Sequence, residues 1–149
     1  MAPLIALLTG SMAARIVGWL GGDYVDTWVK AIAVGLAAMF VLTGLAHFVP
    51  PLRASLIAIV PPRLPAPGLL VSFTGVLELL GAVGLLVPAT RIVAAAVCLL
   101  LLMLAMFPAN IYAARMPNPP KSMTTRLPLR TAEEIVYLAA AVVVAIGGS

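Results

Sequence analysis

The chain has 149 residues, of which 63% are hydrophobic and 9% charged, and its mean hydropathy is +1.16. A typical soluble domain carries about 25% charged residues. A chain this size cannot bury so much apolar surface within itself, so the composition excludes a soluble globular domain and points to lipid as the solvent. The net charge of +4 and pI of 9.9 do not point to nucleic acid. The basic residues stand singly between apolar runs, as membrane loop anchors do, and form no basic face.

In chain order, the first apolar run is Pro3–Leu20. It is read as an extra N-terminal membrane helix, with an interfacial helix or a signal peptide as competing readings. Arg15 weakens it but lies near enough to its end to snorkel. No Lys or Arg precedes the run, which argues against a signal peptide. Four further runs reach or approach the roughly 20 residues that a spanning helix needs: Trp28–Val49, Pro67–Val87, Arg91–Phe107 and Ala132–Gly147. The expected fold is therefore all-α, a single polytopic transmembrane bundle. Residues 28–147 form a four-helix core, and residues 1–27 add a helix and linker.

Two segments cannot span. Residues 50–67 hold Pro50, Pro51, Pro61, Pro62, Pro65 and Pro67, and proline interrupts helix interiors. Between these prolines, Leu52–Val60 reads as a short interfacial or re-entrant helix. Residues 109–130 are polar, and Thr131 followed by Glu134 reads as an N-cap with a capping box that opens the last helix. Glu133 and Glu134 are assigned to favourable interaction with that helix's dipole. If the 50–66 and 109–130 loops share one face, that face carries Arg53, Arg63, Arg115, Lys121, Arg126 and Arg130. The opposite face carries Lys30 and Arg91 against Asp23 and Asp26. The positive-inside rule then places the six-charge loops in the cytoplasm of a multi-pass cell-membrane protein.

Glu78 is the strongest chemical signal. It lies near the middle of an apolar span, where a charged side chain costs roughly 2.5 kcal/mol or more. Gly75, Glu78 and Gly81 recur at three-residue spacing, so small residues flank the acid and let a neighbouring helix approach it. The acid is read either as a proton relay or ligand-binding group, or as a structural carboxyl between helices. His47, the only histidine, sits near the end of the first span and titrates in the range that suits proton transfer. Anchoring that helix end is the alternative. Asn110, two residues after Pro108, is a candidate for the same membrane face or for capping the carbonyls that the proline frees. Arg63 and Arg115 are expected over that face, so that His47, Glu78, Asn110, Arg63 and Arg115 line one pocket. Cys98 cannot form an internal disulfide and is read as a packing residue. Met39, Met103 and Met106 are read likewise. One histidine cannot give bis-histidine haem ligation, and the spans do not supply the three or four ligands of a zinc or iron site. No metal-held or covalently held cofactor is expected.

The order Thr43-Gly44-Leu45-Ala46-His47-Phe48, Val60-Pro61-Pro62-Arg63-Leu64-Pro65, Gly75-Val76-Leu77-Glu78-Leu79-Leu80-Gly81 and Phe107-Pro108-Ala109-Asn110-Ile111-Tyr112 resembles the DoxX-like membrane proteins over residues 28–147. The resemblance implies a bundle of four membrane helices. It also implies membership of a membrane-associated complex that is redox- or quinone-linked, with His47, Glu78, Pro108, Asn110 and the Pro61-Pro62 pair as the matching positions. On that reading the chain binds a quinone or lipid beside Glu78 and is not catalytic alone. Any electron carrier sits on a partner subunit, membrane or peripheral, or the chain forms a homo-oligomer. A small transporter, or a structural anchor without ligand, stands as the alternative.

Overall fold

The computed structural model describes residues 1–121, 124 and 126–147. The side chains of Ala96, Val97 and Cys98 lie outside the described residues, so the packing role expected of Cys98 does too. Every regular element among the described residues is helical: α1 (Ala2–Trp19), a 3-10 turn (Asp23–Val25), α2 (Trp28–Ala46), α3 (Leu52–Ala58), α4 (Pro67–Leu86), α5 (Arg91–Val93), a π-helical turn (Ala94–Leu99), α6 (Leu100–Arg115) and α7 (Leu127–Gly147). Three of them, α1, α2 and α4, are long and apolar enough to cross a membrane.

The helices alternate in direction, so their ends gather in two groups. At one end α1 closes on α2 through polar and aromatic contacts. The Arg15 guanidinium donates to the Asp26 carbonyl at 2.7 Å and lies over the Trp19 and Trp28 rings at 5.1 and 5.7 Å. Those rings meet edge to face, their centroids 6.1 Å apart. Thr27 caps α2 by accepting from the Lys30 amide, and Lys30 pairs with Asp26 at 2.8 Å. The same end holds Arg91, which is buried. Its Nε donates to the Leu85 carbonyl at 2.9 Å, and the guanidinium lies over the Tyr24 ring at 5.3 Å. Amphipathic aromatic rings and guanidinium groups suit a membrane–water boundary, because each has an apolar body and a polar tip.

At the other end Arg53 of α3 ties down the connection between α2 and α4: Nη1 donates to the His47 carbonyl at 2.8 Å, and Nη2 to the Gly68 carbonyl at 3.1 Å. The end of α2, α3 and the start of α4 are thereby joined by one side chain. The core between the two ends holds Leu36, Leu85, Leu99 and Val144, all fully buried. Close approach depends on small residues, as expected in helix packing within lipid. A Cβ at Gly81 would come 2.5 Å from Leu99, and one at Gly75 would come 2.5 Å from His47.

Two expected boundaries differ. The third apolar helix does not stop at Phe107: it continues through Pro108 to Arg115. Proline removes one amide donor and bends the axis, but packing restores the rest of the ladder. The last helix begins at Leu127, not at Ala132. Pro128 lies in its first turn, where a missing amide costs nothing. Thr131 is therefore not an N-cap. It lies inside the helix and donates back to the Leu127 carbonyl at 2.9 Å. Glu133 and Glu134 consequently fall beyond the first turn, which holds no acid, and their assignment to the helix dipole fails.

The α1–α2 contact gives a direct test. A Cβ at Gly35 would lie 2.5 Å from the Leu7 carbonyl oxygen and 2.8 Å from the Ser11 amide nitrogen, both backbone atoms that cannot rotate away. Gly35→Ala is expected to lower the thermal midpoint in detergent, by an overpacking cost of about 1–3 kcal/mol. Gly68→Ala, whose nearest new neighbours are 3.9 Å away, is expected to leave it within about 0.5 kcal/mol.

Candidate functional site

Glu78 projects from the middle of α4 with Gly75 and Gly81 beside it, and α2 passes close enough to cover it. It is 4% exposed. Gly44 on α2 permits this crossing, since a Cβ there would come 3.3 Å from the Glu78 Cβ and 2.9 Å from Leu79. Thr43 is the first polar partner: its hydroxyl stands 2.5 Å from Glu78 Oε2. It also stands 3.2 Å from the Met39 carbonyl, one helical turn back. One hydroxyl has one proton, so Thr43 donates to only one of these oxygens at a time. A charged Glu78 takes the Thr43 proton. A Glu78 protonated on Oε2 donates to Thr43, which then donates to Met39.

His47 lies one turn beyond Thr43 on the same face of α2, 3% exposed. Its Nδ1 is 2.8 Å from the Thr43 carbonyl. A carbonyl only accepts, so Nδ1 carries the proton and the neutral ring turns the Nε2 lone pair outward. Nε2 faces Glu78 Oε1 at 3.9 Å, too far for a direct hydrogen bond. The Arg53 bond to the His47 carbonyl holds this end of α2 in place.

Both residues line a cavity of about 290 Å³. One side of it is apolar, formed by Met39, Phe40, Met103 and Met106. The other is polar and comes from α6 and α7: Asn110, Arg130, Glu133, Glu134 and Tyr137. Arg130 Nη1 donates to Asn110 Oδ1 at 3.3 Å, so the asparagine oxygen holds an arginine of the next helix. Glu134 Oε1 is buried without a hydrogen-bond partner among the described residues.

Three of the five expected site residues, His47, Glu78 and Asn110, therefore meet in one cavity. Arg63 and Arg115 do not. Arg63 is exposed in the proline-rich connection, and Arg53 from α3 is the arginine that turns inward. Arg115 is exposed because α6 runs on through Pro108. Five residues of helix beyond Asn110 carry it about 7.5 Å along the axis and most of the way to the opposite side. Sequence reasoning missed Thr43, Arg130, Glu134 and Tyr137. Thr43 was legible as a hydroxyl one turn before the histidine in an apolar run. Arg130 was hidden by placing the start of α7 too late, and Glu134 by its assignment to the capping box and helix dipole. The methionines expected to be packing residues do pack, and they also wall the cavity.

Residues 36–145 match a family described as a domain of unknown function, DUF8561. The chain belongs to that family. The match runs from within α2 to within α7, so it includes Thr43, His47, Glu78, Asn110 and Arg130, while α1 precedes it. No curated protein and no solved structure matches the chain.

The Thr43–Glu78 contact is open to a double-mutant cycle. Thr43→Val keeps the shape but leaves Glu78 Oε2 without its partner, and is expected to destabilise by about 1–3 kcal/mol. In a Glu78→Leu background the same change is expected to cost less than about 0.5 kcal/mol. Thermal midpoints of the four proteins in one detergent measure the coupling.

Proposed function

We propose that this chain is a multi-pass membrane subunit whose intramembrane cavity binds a small amphiphile, a quinone or lipid, with its oxygen-bearing head between His47 and Glu78. One observation carries the reading: Nε2 of His47 and Oε1 of Glu78 face each other at 3.9 Å in the wall of a cavity. An oxygen about 2.9 Å from each fits between two atoms so spaced. Neither side chain satisfies the other directly, and a ligand head group completes both. The apolar wall of Met39, Phe40, Met103 and Met106 suits a ring or chain. Thioethers adapt their shape to such ligands, and an intramembrane acid facing a cavity is a functional signal by default.

The resemblance to DoxX-like proteins supports placing the chain in a membrane-associated, redox- or quinone-linked complex. On this reading the chain crosses the cell membrane with four core helices, α2, α4, the helix from Arg91 to Arg115, and α7, and with α1 as an additional span. The connections that carry Arg53, Arg63, Lys121 and Arg126 face the cytoplasm, following the positive-inside rule. Electron transfer belongs to a partner subunit. Glu78 and His47 hydrogen-bond the ligand and exchange protons with it.

Mass spectrometry of the protein purified from its native membrane in mild detergent tests this directly. The wild type is expected to retain a quinone or a specific lipid, together with a partner subunit. Glu78→Leu is expected to fold, because an apolar group of similar volume replaces a buried polar one, and to lose the small molecule by at least about tenfold. A wild type that carries bulk lipid alone, or a Glu78→Leu protein that keeps the ligand, refutes the proposal.

A further inference from the structure

We infer that the head group seated between His47 and Glu78 is a hydroxyl. The cavity then takes a lipidic phenol or alcohol, and of a quinone couple it takes the reduced member. The inference rests on the amphiphile-binding reading above and adds the chemistry of the head.

The argument is a count of donors. The Nδ1 proton of His47 is committed to the Thr43 carbonyl at 2.8 Å, so neutral His47 offers the ligand an acceptor at Nε2 and nothing else. Glu78 has three arrangements. Charged, it accepts the Thr43 proton at Oε2 and offers Oε1 as a second acceptor. Protonated on Oε2, it donates to Thr43, which passes its own proton to the Met39 carbonyl, and Oε1 is again an acceptor. Protonated on Oε1, it offers one donor beside the Nε2 acceptor. In all three the ligand faces at least one acceptor, and in none does it face two donors. A doubly protonated His47 beside a charged Glu78 would draw Nε2 and Oε1 into a hydrogen-bonded ion pair, yet they stand 3.9 Å apart, beyond hydrogen-bonding distance.

A carbonyl or ether oxygen brings lone pairs only. Placed here, it would set its lone pairs against that of Nε2 and leave an acceptor of a buried side chain unpaired, which is costly. A hydroxyl donates to Nε2 and accepts from Glu78 when Oε1 is protonated, which satisfies every group at once; where Nε2 and Oε1 both accept, it pairs one of them and a carbonyl pairs neither. An ammonium also brings donors. The cavity is lined by Glu133 and Glu134 but already holds Arg130 and the Met1 ammonium that pairs with Glu133, and stripping water from a third cation against the Met39, Phe40, Met103 and Met106 lining costs more than stripping it from a hydroxyl. Thr43 becomes a positioning residue, since its hydrogen bond with Oε2 leaves Oε1 facing the ligand.

The test uses the full chain in detergent under anaerobic conditions, with four probes that share one decyl tail: decylhydroquinone, decylbenzoquinone, decyl-dimethoxybenzene and decylamine. Binding is read by calorimetry. The hydroquinone is expected to bind about tenfold or more tightly than the quinone and the dimethyl ether. His47→Phe is expected to reduce that ratio to about threefold or less, and the wild-type ratio decides the matter if that variant does not fold. Equal binding of hydroquinone, quinone and ether overturns the hydroxyl inference and leaves the amphiphile site standing. Tightest binding by decylamine overturns it in favour of a cationic head. No binding by any of the four overturns both this inference and the proposed function.

Discussion

A carboxyl group in the middle of an apolar helix is the constraint around which this bundle is arranged. Glu78 cannot be left facing hydrocarbon, so α2 must lie against α4 closely enough to bring a hydroxyl to it. That approach needs Gly44 on one helix and Gly75 on the other, because a Cβ at Gly44 would meet Leu79 and one at Gly75 would meet His47 within 3 Å. The same contact brings Thr43 and His47 to the acid together, one turn apart on one face of α2. Burial of the acid, close helix packing and assembly of the polar pair are thus consequences of one physical demand.

The two ends of the molecule serve different purposes. The end built on Arg15, Trp19, Tyr24, Trp28 and Arg91 is closed, with guanidinium groups donating to carbonyls and stacking on aromatic rings. The other end is open. There Arg53 secures α2, α3 and α4 by their backbone carbonyls, while α6 and α7 stand back and leave a cavity. The core and the cavity share Met39, Phe40 and Met103, so the same side chains pack the bundle and wall the site.

Hydrogen-bond accounting ties the site to its chemistry. Thr43 carries one proton with three acceptors in reach, Glu78 Oε2 and the Met39 and Phe40 carbonyls, and His47 has one proton already committed. The polarity of the cavity's inner end is therefore set by backbone geometry, through the Thr43 and Met39 carbonyls, as much as by the titrating side chains. Arg130, Asn110 and Glu134 place further polar groups at the α6–α7 side, so an amphiphile there would meet polar groups on one side and thioethers and an aromatic ring on the other.

The sequence alone determined the helical elements and their apolar character. Apolar run lengths, proline clusters and the spacing of Gly75, Glu78 and Gly81 placed α1, α2, α3 and α4 within a few residues, because these are local properties of the chain. It also marked Glu78 and His47, since a lone ionisable group in an apolar run stands out without reference to any neighbour. The ends of α6 and α7 were not legible, because whether Pro108 stops a helix or only bends it depends on what packs around it. Which residues share the cavity was decided by the tertiary structure alone. Thr43 reaches Glu78 and Arg130 reaches Asn110 across helix interfaces, whereas Arg63 and Arg115 are exposed. Depth along a helix can be read from position in the chain, but rotation about its axis and the choice of neighbour follow from packing.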